Sequence, residues 1–138
     1  MGVPFKIKMD SYSKGIAIND LKVMWKITDR NGEYYDFISE WNYDVQLACY
    51  QEIVRKNTGD KLPCFICAVT KETPINSIIV KIQQEIIDTD WNRVESTINR
   101  YYDVFMGKEE PIGCGKCKTC IEQRTITPII SMTNIMGN

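Results

Sequence analysis

Lys6-Ile7-Lys8-Met9-Asp10 and Ile16-Ala17-Ile18-Asn19-Asp20-Leu21-Lys22 decide how this chain is read. Each run reads as a β-strand, with Gly15 in the turn region between them. An acidic residue ends the first run, and an Asp-x-Lys ends the second. Side chains alternate between the two faces of a strand, so Asp20 and Lys22 point one way and Leu21 the other. A hairpin brings Asp10 close to that pair. Two carboxylates and a lysine converging at strand ends suit a Mg²⁺-dependent phosphodiesterase. The carboxylate oxygens hold a hard cation, and the lysine positions or activates a water. The competing reading is a surface hairpin with solvated charges.

The next element favours the chemical reading. From Tyr35 to Lys56, Phe37, Ile38, Trp41, Val45, Ala48, Cys49 and Ile53 recur at helical spacing. Beside that stripe Tyr43, Gln46 and Tyr50 line one helical face. A glutamine directed at the strands suits holding a water or a phosphate oxygen. As alternatives, Gln46 is an ordinary boundary amide and the tyrosines edge the core.

A strand Asp, a strand Asp-x-Lys and a helical Tyr-x-x-Gln-x-x-x-Tyr together resemble the PD-(D/E)xK nuclease superfamily. The matching stretches are KIKMD (6–10), INDLK (18–22) and YDVQLACY (43–50). Within that superfamily the chain is most similar to the phage and prophage exonuclease branch, the relatives of lambda exonuclease and RecE. The likeness runs from Val3 to Ile126 and includes the Trp91–Gly107 helix and the Cys-rich stretch after it. It implies an α/β fold with a mixed β-sheet flanked by helices, a truncated restriction-endonuclease-like core. That core is expected over residues 1–110 as a single domain, with a Cys-rich C-terminal tail over 111–138.

The resemblance also implies roles. Asp10, Asp20 and the Leu21 carbonyl hold Mg²⁺ or Mn²⁺. Lys22 positions the attacking water or stabilises charge on the phosphate. Gln46 orients the water or the metal shell, and Tyr50 supports it or touches the DNA backbone. The implied activity is exonucleolytic hydrolysis of DNA at linear duplex ends, in phage or prophage recombination beside a single-strand annealing protein, with a homo-oligomer as one assembly. Family members usually carry a helical region and a strand before the first metal Asp, often with a further acidic or His ligand. Here nine residues precede Asp10 and the sequence contains no histidine, so a fragment or a shortened member is expected. A catalytically inactive remnant, acting as a DNA- or protein-binding module, is the alternative. An unrelated α/β domain is the third reading.

Composition sets further bounds. At 138 residues the chain has room for one core. No run approaches the roughly 18 to 20 apolar residues of a membrane span, and no signal-peptide stretch opens the chain. A cytoplasmic protein of a bacterium hosting a phage or prophage is expected. The net charge of −1 and pI near 5.5 argue mildly against a high-affinity, non-specific DNA binder. Lys6, Lys8, Lys22, Lys26, Arg55 and Lys56 are the candidates for a basic groove.

Elsewhere, the second strand is expected to continue to Ile27, followed by a turn at Asp29-Arg30-Asn31-Gly32. Gly59 should end the Tyr43 helix. Cys64–Val69 reads as a central strand buried on both faces, and Ser77–Ile82 as an edge strand. Asp88 or Thr89 should cap a second helix that Gly107 closes. Of six cysteines, Cys49, Cys64 and Cys67 read as core residues. Cys114, Cys117 and Cys120 lie in a polar, Gly-containing, loop-like segment. Their spacing suits an iron–sulfur cluster or zinc, each needing a fourth ligand. Related nucleases carry such a cluster on three C-terminal cysteines. A reduced, solvent-exposed tail is the alternative. The last stretch, Arg124 to Asn138, reads as a short strand plus a disordered end.

Overall fold

A computed structural model describes residues 2–123 and 131–132. The reading of Arg124–Asn138 therefore falls almost wholly outside the described residues. The chain divides into two compact units, Met1–Tyr102 and Asp103–Asn138.

The first unit holds β1 (Ser11–Ser13), β2 (Ala17–Met24), α1 (Phe37–Glu40), α2 (Tyr43–Thr58), β3 (Cys64–Thr70), β4 (Ser77–Ile82) and most of α3 (Gln84–Phe105). The strands form one sheet in the order β1-β2-β3-β4. β1 and β2 pair antiparallel, β2 and β3 parallel, and β3 and β4 antiparallel. The sheet is thus mixed and carries helices, an α/β restriction-endonuclease-like core, as the sequence implied. The parallel β2–β3 pair requires a crossover, which α1 and α2 supply. β4 lies at the sheet edge, as expected.

Alternation along the strands fixes one buried face. Ile18 and Asp20 of β2, Cys64, Ile66 and Ala68 of β3 and Ile82 of β4 are buried. They join Leu47, Ala48 and Val54 of α2 and Ile87 of α3 in the core. The opposite face is more open than the continuous apolar run of β3 suggested. Phe65, Cys67 and Val69 are half-buried, and Leu21, Val23 and Ile79 are exposed.

Further expectations need correction. The Lys6–Asp10 run belongs to no ladder, and the hairpin strand is β1, just after it. Side chains take the place of the ladder: the Tyr50 hydroxyl donates to the Lys8 carbonyl, and the Asp10 carboxylate accepts the Leu21 N–H. Ile7 and Met9 still pack on the core. Gly15 does sit in the turn, at φ 71°, where a side chain is unfavourable.

The expected Tyr35–Lys56 helix is two helices. Asp36 caps α1 by accepting the Ser39 N–H at 3.0 Å, and Asn42, at φ 54°, sits in the left-handed region before α2. This break changes the helical phase. The buried set of α2 is Leu47, Ala48, Tyr50, Gln51 and Val54, while Trp41 is 62 % exposed. Gly59 ends α2 as expected, its N–H donating to the Arg55 carbonyl.

β2 stops at Met24, although Ile27 beyond it is fully buried. The Asp29–Gly32 turn is present, with Asp29 Oδ1 accepting the N–H groups of Asn31 and Glu33. α3 begins at Gln84, earlier than Asp88, because the Gln84 side chain exchanges two hydrogen bonds with Gln51. No helix among the described residues is long and apolar enough to cross a membrane.

In the second unit Gly107 closes α3 at φ 70°. The tail, expected to be loop-like, contains a short helix, α4 (Lys118–Glu122).

Candidate active site

The parallel β2–β3 pairing sets the backbone geometry at the site. Ile18 N–H donates to the Pro63 carbonyl and the Met24 carbonyl accepts from Lys71 N–H, so even-numbered residues of β2 bond toward β3. The N–H and C=O of one extended residue share a side. Leu21 therefore directs both toward Asp10, and its N–H meets Asp10 Oδ2 at 3.0 Å. The Leu21 carbonyl and the Asp10 carboxylate thus lie on one side of β2. Asp20, the preceding residue, is only 2 % exposed.

Lys22 shares the inner face with Asp20. Its Nζ lies 2.6 Å from Asp20 Oδ2, yet the angles leave that oxygen without a hydrogen bond. Lys22 Nζ donates to Gln46 Oε1 at 2.8 Å and stands 4.1 Å from the centre of the Tyr43 ring. Gln46 Nε2 donates to the Tyr50 hydroxyl at 2.7 Å, which donates to the Lys8 carbonyl at 2.8 Å. One chain of hydrogen bonds therefore runs from Lys22 through α2 to the residue two before Asp10. Gln46 and Tyr50 both reach this chain because they are four apart on a helix and so share a face.

All six residues expected at the metal end, Asp10, Asp20, Leu21, Lys22, Gln46 and Tyr50, are thus brought together. Tyr43, a neighbour on the same helical face, contributes the ring under Lys22 and had no role assigned from sequence. Its signal was the three-residue step to Gln46. A shallow pocket of about 330 Å³ opens beside these groups, lined by Asp10, Ser11, Asn19, Asp20, Leu21 and Cys67.

The donor set suits a hard divalent cation. Asp10, Asp20 and the Leu21 carbonyl offer only oxygen, the ligand type that such a cation takes. The expected basic groove is less uniform. Arg55 and Lys56 are paired with Glu52, which holds the Glu52 carboxyl below its ordinary range, chiefly through the Arg55 bond.

In the second unit the Cys114, Cys117 and Cys120 thiols lie within 4.8 Å of one another. Cys114 Sγ accepts the Cys117 N–H at 3.2 Å. Backbone hydrogen bonds from Lys116 and Cys117 lower the Cys114 thiol to about 7. A side chain on Gly113 would place its Cβ 2.9 Å from Cys120 Sγ, so glycine there leaves room for the third thiol. Three converging thiols with one acidified suit a soft metal. The other cysteines differ. Cys64 is buried, and burial pushes its thiol up to about 12.

Fold and site together define a PD-(D/E)xK-type α/β domain. Residues 1–123 match the family DUF3799, described as a PDDEXK-like domain of unknown function, and the chain belongs to that family. A solved structure, described as that of a "Putative exonuclease" from Eubacterium rectale, is 41 % identical with a TM-score of 0.72. The match covers 95 % of this chain and 51 % of that one, so the chain spans about half the length of this relative. No curated protein matches the chain.

Proposed function

We propose that the chain carries the catalytic core of a Mg²⁺- or Mn²⁺-dependent deoxyribonuclease that degrades linear duplex DNA from its ends. The observation that carries this reading is the Asp10 carboxylate bonded to the Leu21 N–H beside buried Asp20 and Lys22. Family membership and the likeness to the E. rectale protein support it.

Asp10, Asp20 and the Leu21 carbonyl would hold the cation. When bound, it supplies Lewis-acid stabilisation of phosphate charge and a more acidic water. In the hydrolysis a water oxygen bonds to phosphorus, the bridging P–O bond breaks, and the leaving oxygen takes up a proton. Lys22 has three ammonium donors. Gln46 Oε1 takes one of them, and Asp20 Oδ2 pairs with the ammonium as an ion without accepting a hydrogen bond, leaving donors for a phosphate oxygen or the water. Gln46 uses both ends of its amide, on Lys22 and on Tyr50, so it acts through Lys22 as a positioning residue. Tyr50 holds Gln46 in the same way, and the Tyr43 ring steadies the ammonium by its negative face.

At the tail, Cys114, Cys117 and Cys120 would hold zinc or an iron–sulfur cluster with a fourth ligand from outside the trio. The biological setting follows from the resemblance: end resection in recombination, in the cytoplasm of a bacterium hosting a phage or prophage, beside a single-strand annealing protein, as a homo-oligomer. The test is incubation with linear and closed circular duplex DNA of equal length. Loss of the linear form alone, needing Mg²⁺, is expected. Equal cleavage of both forms would replace the end-directed reading with an endonucleolytic one.

A further inference from the structure

The catalytic reading leaves a second feature of the first unit unused. Trp25, Tyr35, Trp41 and Tyr43, with Val23 and Met24, line a pocket of about 270 Å³. Its tryptophans are open to solvent, Trp25 at 73 % and Trp41 at 62 %. Folding alone favours no such arrangement, since indole rings are costly to leave in water. The rings come from separate places: the end of β2, the turn before α1, and the break at Asn42. Tyr35 is braced. Its hydroxyl donates to the Lys26 carbonyl at 2.7 Å, and its ring meets Phe37 edge-on at 5.9 Å. Lys71 Nζ stands 5.1 Å from the centre of the Trp25 ring.

The pocket is continuous with the candidate active site. Tyr43 belongs to both, since its ring lies against Lys22 Nζ and also lines the pocket. Lys22 and Met24 are two residues apart on one face of β2, a rise of about 6.6 Å. That is roughly two steps of a stacked nucleic-acid strand at about 3.4 Å each.

We propose that this aromatic pocket is a stacking site for unpaired nucleobases of a DNA strand whose backbone passes Lys22. The inference rests on the nuclease reading and deepens it, naming the substrate as a strand end with exposed bases. Flat aromatic faces take any base by stacking, whatever its sequence. Exposed Lys71, over the Trp25 ring, and exposed Lys26, next to Trp25 in the sequence, supply the charge that a phosphate backbone needs. A protein partner would also use tryptophan, but these lysines and the shared Tyr43 favour a nucleic acid.

The test is fluorescence quenching by single-stranded dT8, with a blunt DNA hairpin as the comparison. It is run in EDTA at low salt, so that no cleavage intervenes. The full chain carries Trp91→Phe, so that emission reports Trp25 and Trp41. Quenching by dT8 is expected. Trp25→Ala and Trp41→Ala should each weaken dT8 binding about 5-fold or more and hairpin binding less than about 2-fold. Both tryptophans are mostly exposed, and circular dichroism checks that the alanine variants stay folded. No quenching, or alanine variants that bind dT8 like the parent, would overturn the proposal. So would concentration-dependent dimerisation lost in Trp41→Ala without any dT8 response, which would assign the rings to a second copy. Cleavage of blunt duplex in Mg²⁺ is measured separately. Cleavage without dT8 stacking removes this inference alone, whereas stacking without any cleavage removes the nuclease reading and leaves a base-binding pocket.

Discussion

Tyr50→Phe removes one oxygen and leaves the ring. Tyr50 is 7 % exposed, so the packing of α2 is kept and no cavity opens. Two partners are lost. Gln46 Nε2 loses its acceptor at 2.7 Å, and the Lys8 carbonyl loses its donor at 2.8 Å. Both sites are partly buried, and a polar group left unpaired in such a place costs about 1 kcal/mol at the low end. The expected loss is therefore about 2 kcal/mol. A unit of this size shifts its Tm by roughly 4 to 8 °C per kcal/mol, giving a fall of about 8 to 16 °C in thermal unfolding. The same change frees the Gln46 amide, and with it Lys22. Misplacement of a positioned group by about 1 Å costs up to about 100-fold in rate, so a 10- to 100-fold fall in Mg²⁺-dependent DNA cleavage is expected. A Tm drop below about 3 °C, with cleavage unchanged, would refute the reasoning that Tyr50 holds Gln46 and Lys22 in place.

Further expectations concern charge. Lys22→Met leaves the buried Asp20 carboxylate without its cation and should lower stability by about 3 kcal/mol in urea unfolding, while adding Asp20→Asn should restore most of that loss. Cys114, lowered to about 7, should be alkylated by iodoacetamide at neutral pH well before Cys64, as read by peptide mass spectrometry. Burial first, then the charge of Asp44, hold the Asp90 carboxyl above its ordinary pKa, with Arg93 opposing them. A carboxyl raised in the folded state favours folding fully below its ordinary pKa, and that contribution is lost as pH rises through the raised value. Asp90→Asn should therefore raise the Tm at neutral pH and give no gain near about pH 3, where both forms are uncharged. A constant difference across that range would contradict the assignment.

Sequence alternation carried the site because its parts are local. Asp20 and Lys22 share a face by strand geometry, and Gln46 and Tyr50 share one by helical geometry. Gly15 and Gly59 marked turns that glycine alone adopts easily. What stayed illegible depends on tertiary contacts. The apolar spacing of Phe37 to Ile53 reads as one helix, and only the left-handed Asn42 shows that the register restarts there. Lys6–Asp10 reads as a strand because polar and apolar residues alternate along it, yet its polar partners are the Tyr50 and Leu21 groups, far away in sequence. The third participant at Lys22, the Tyr43 ring, and the pocket shared by Trp25, Tyr35 and Trp41 arise from segments that no local pattern joins. The tail cysteines were legible as a cluster by spacing, whereas the short helix carrying Cys120 was hidden in a polar, Gly-containing stretch.

The central claim is that Asp10, Asp20 and Lys22 form a working phosphodiesterase site. It is tested most directly by cleavage of end-labelled linear duplex DNA in Mg²⁺ by the parent chain and by the Asp20→Ala and Lys22→Ala variants, each shown to be folded. Cleavage by the parent that stops in EDTA and falls at least about 100-fold in both variants is the predicted result. Equal cleavage by parent and variants, or none by the folded parent, would contradict the account.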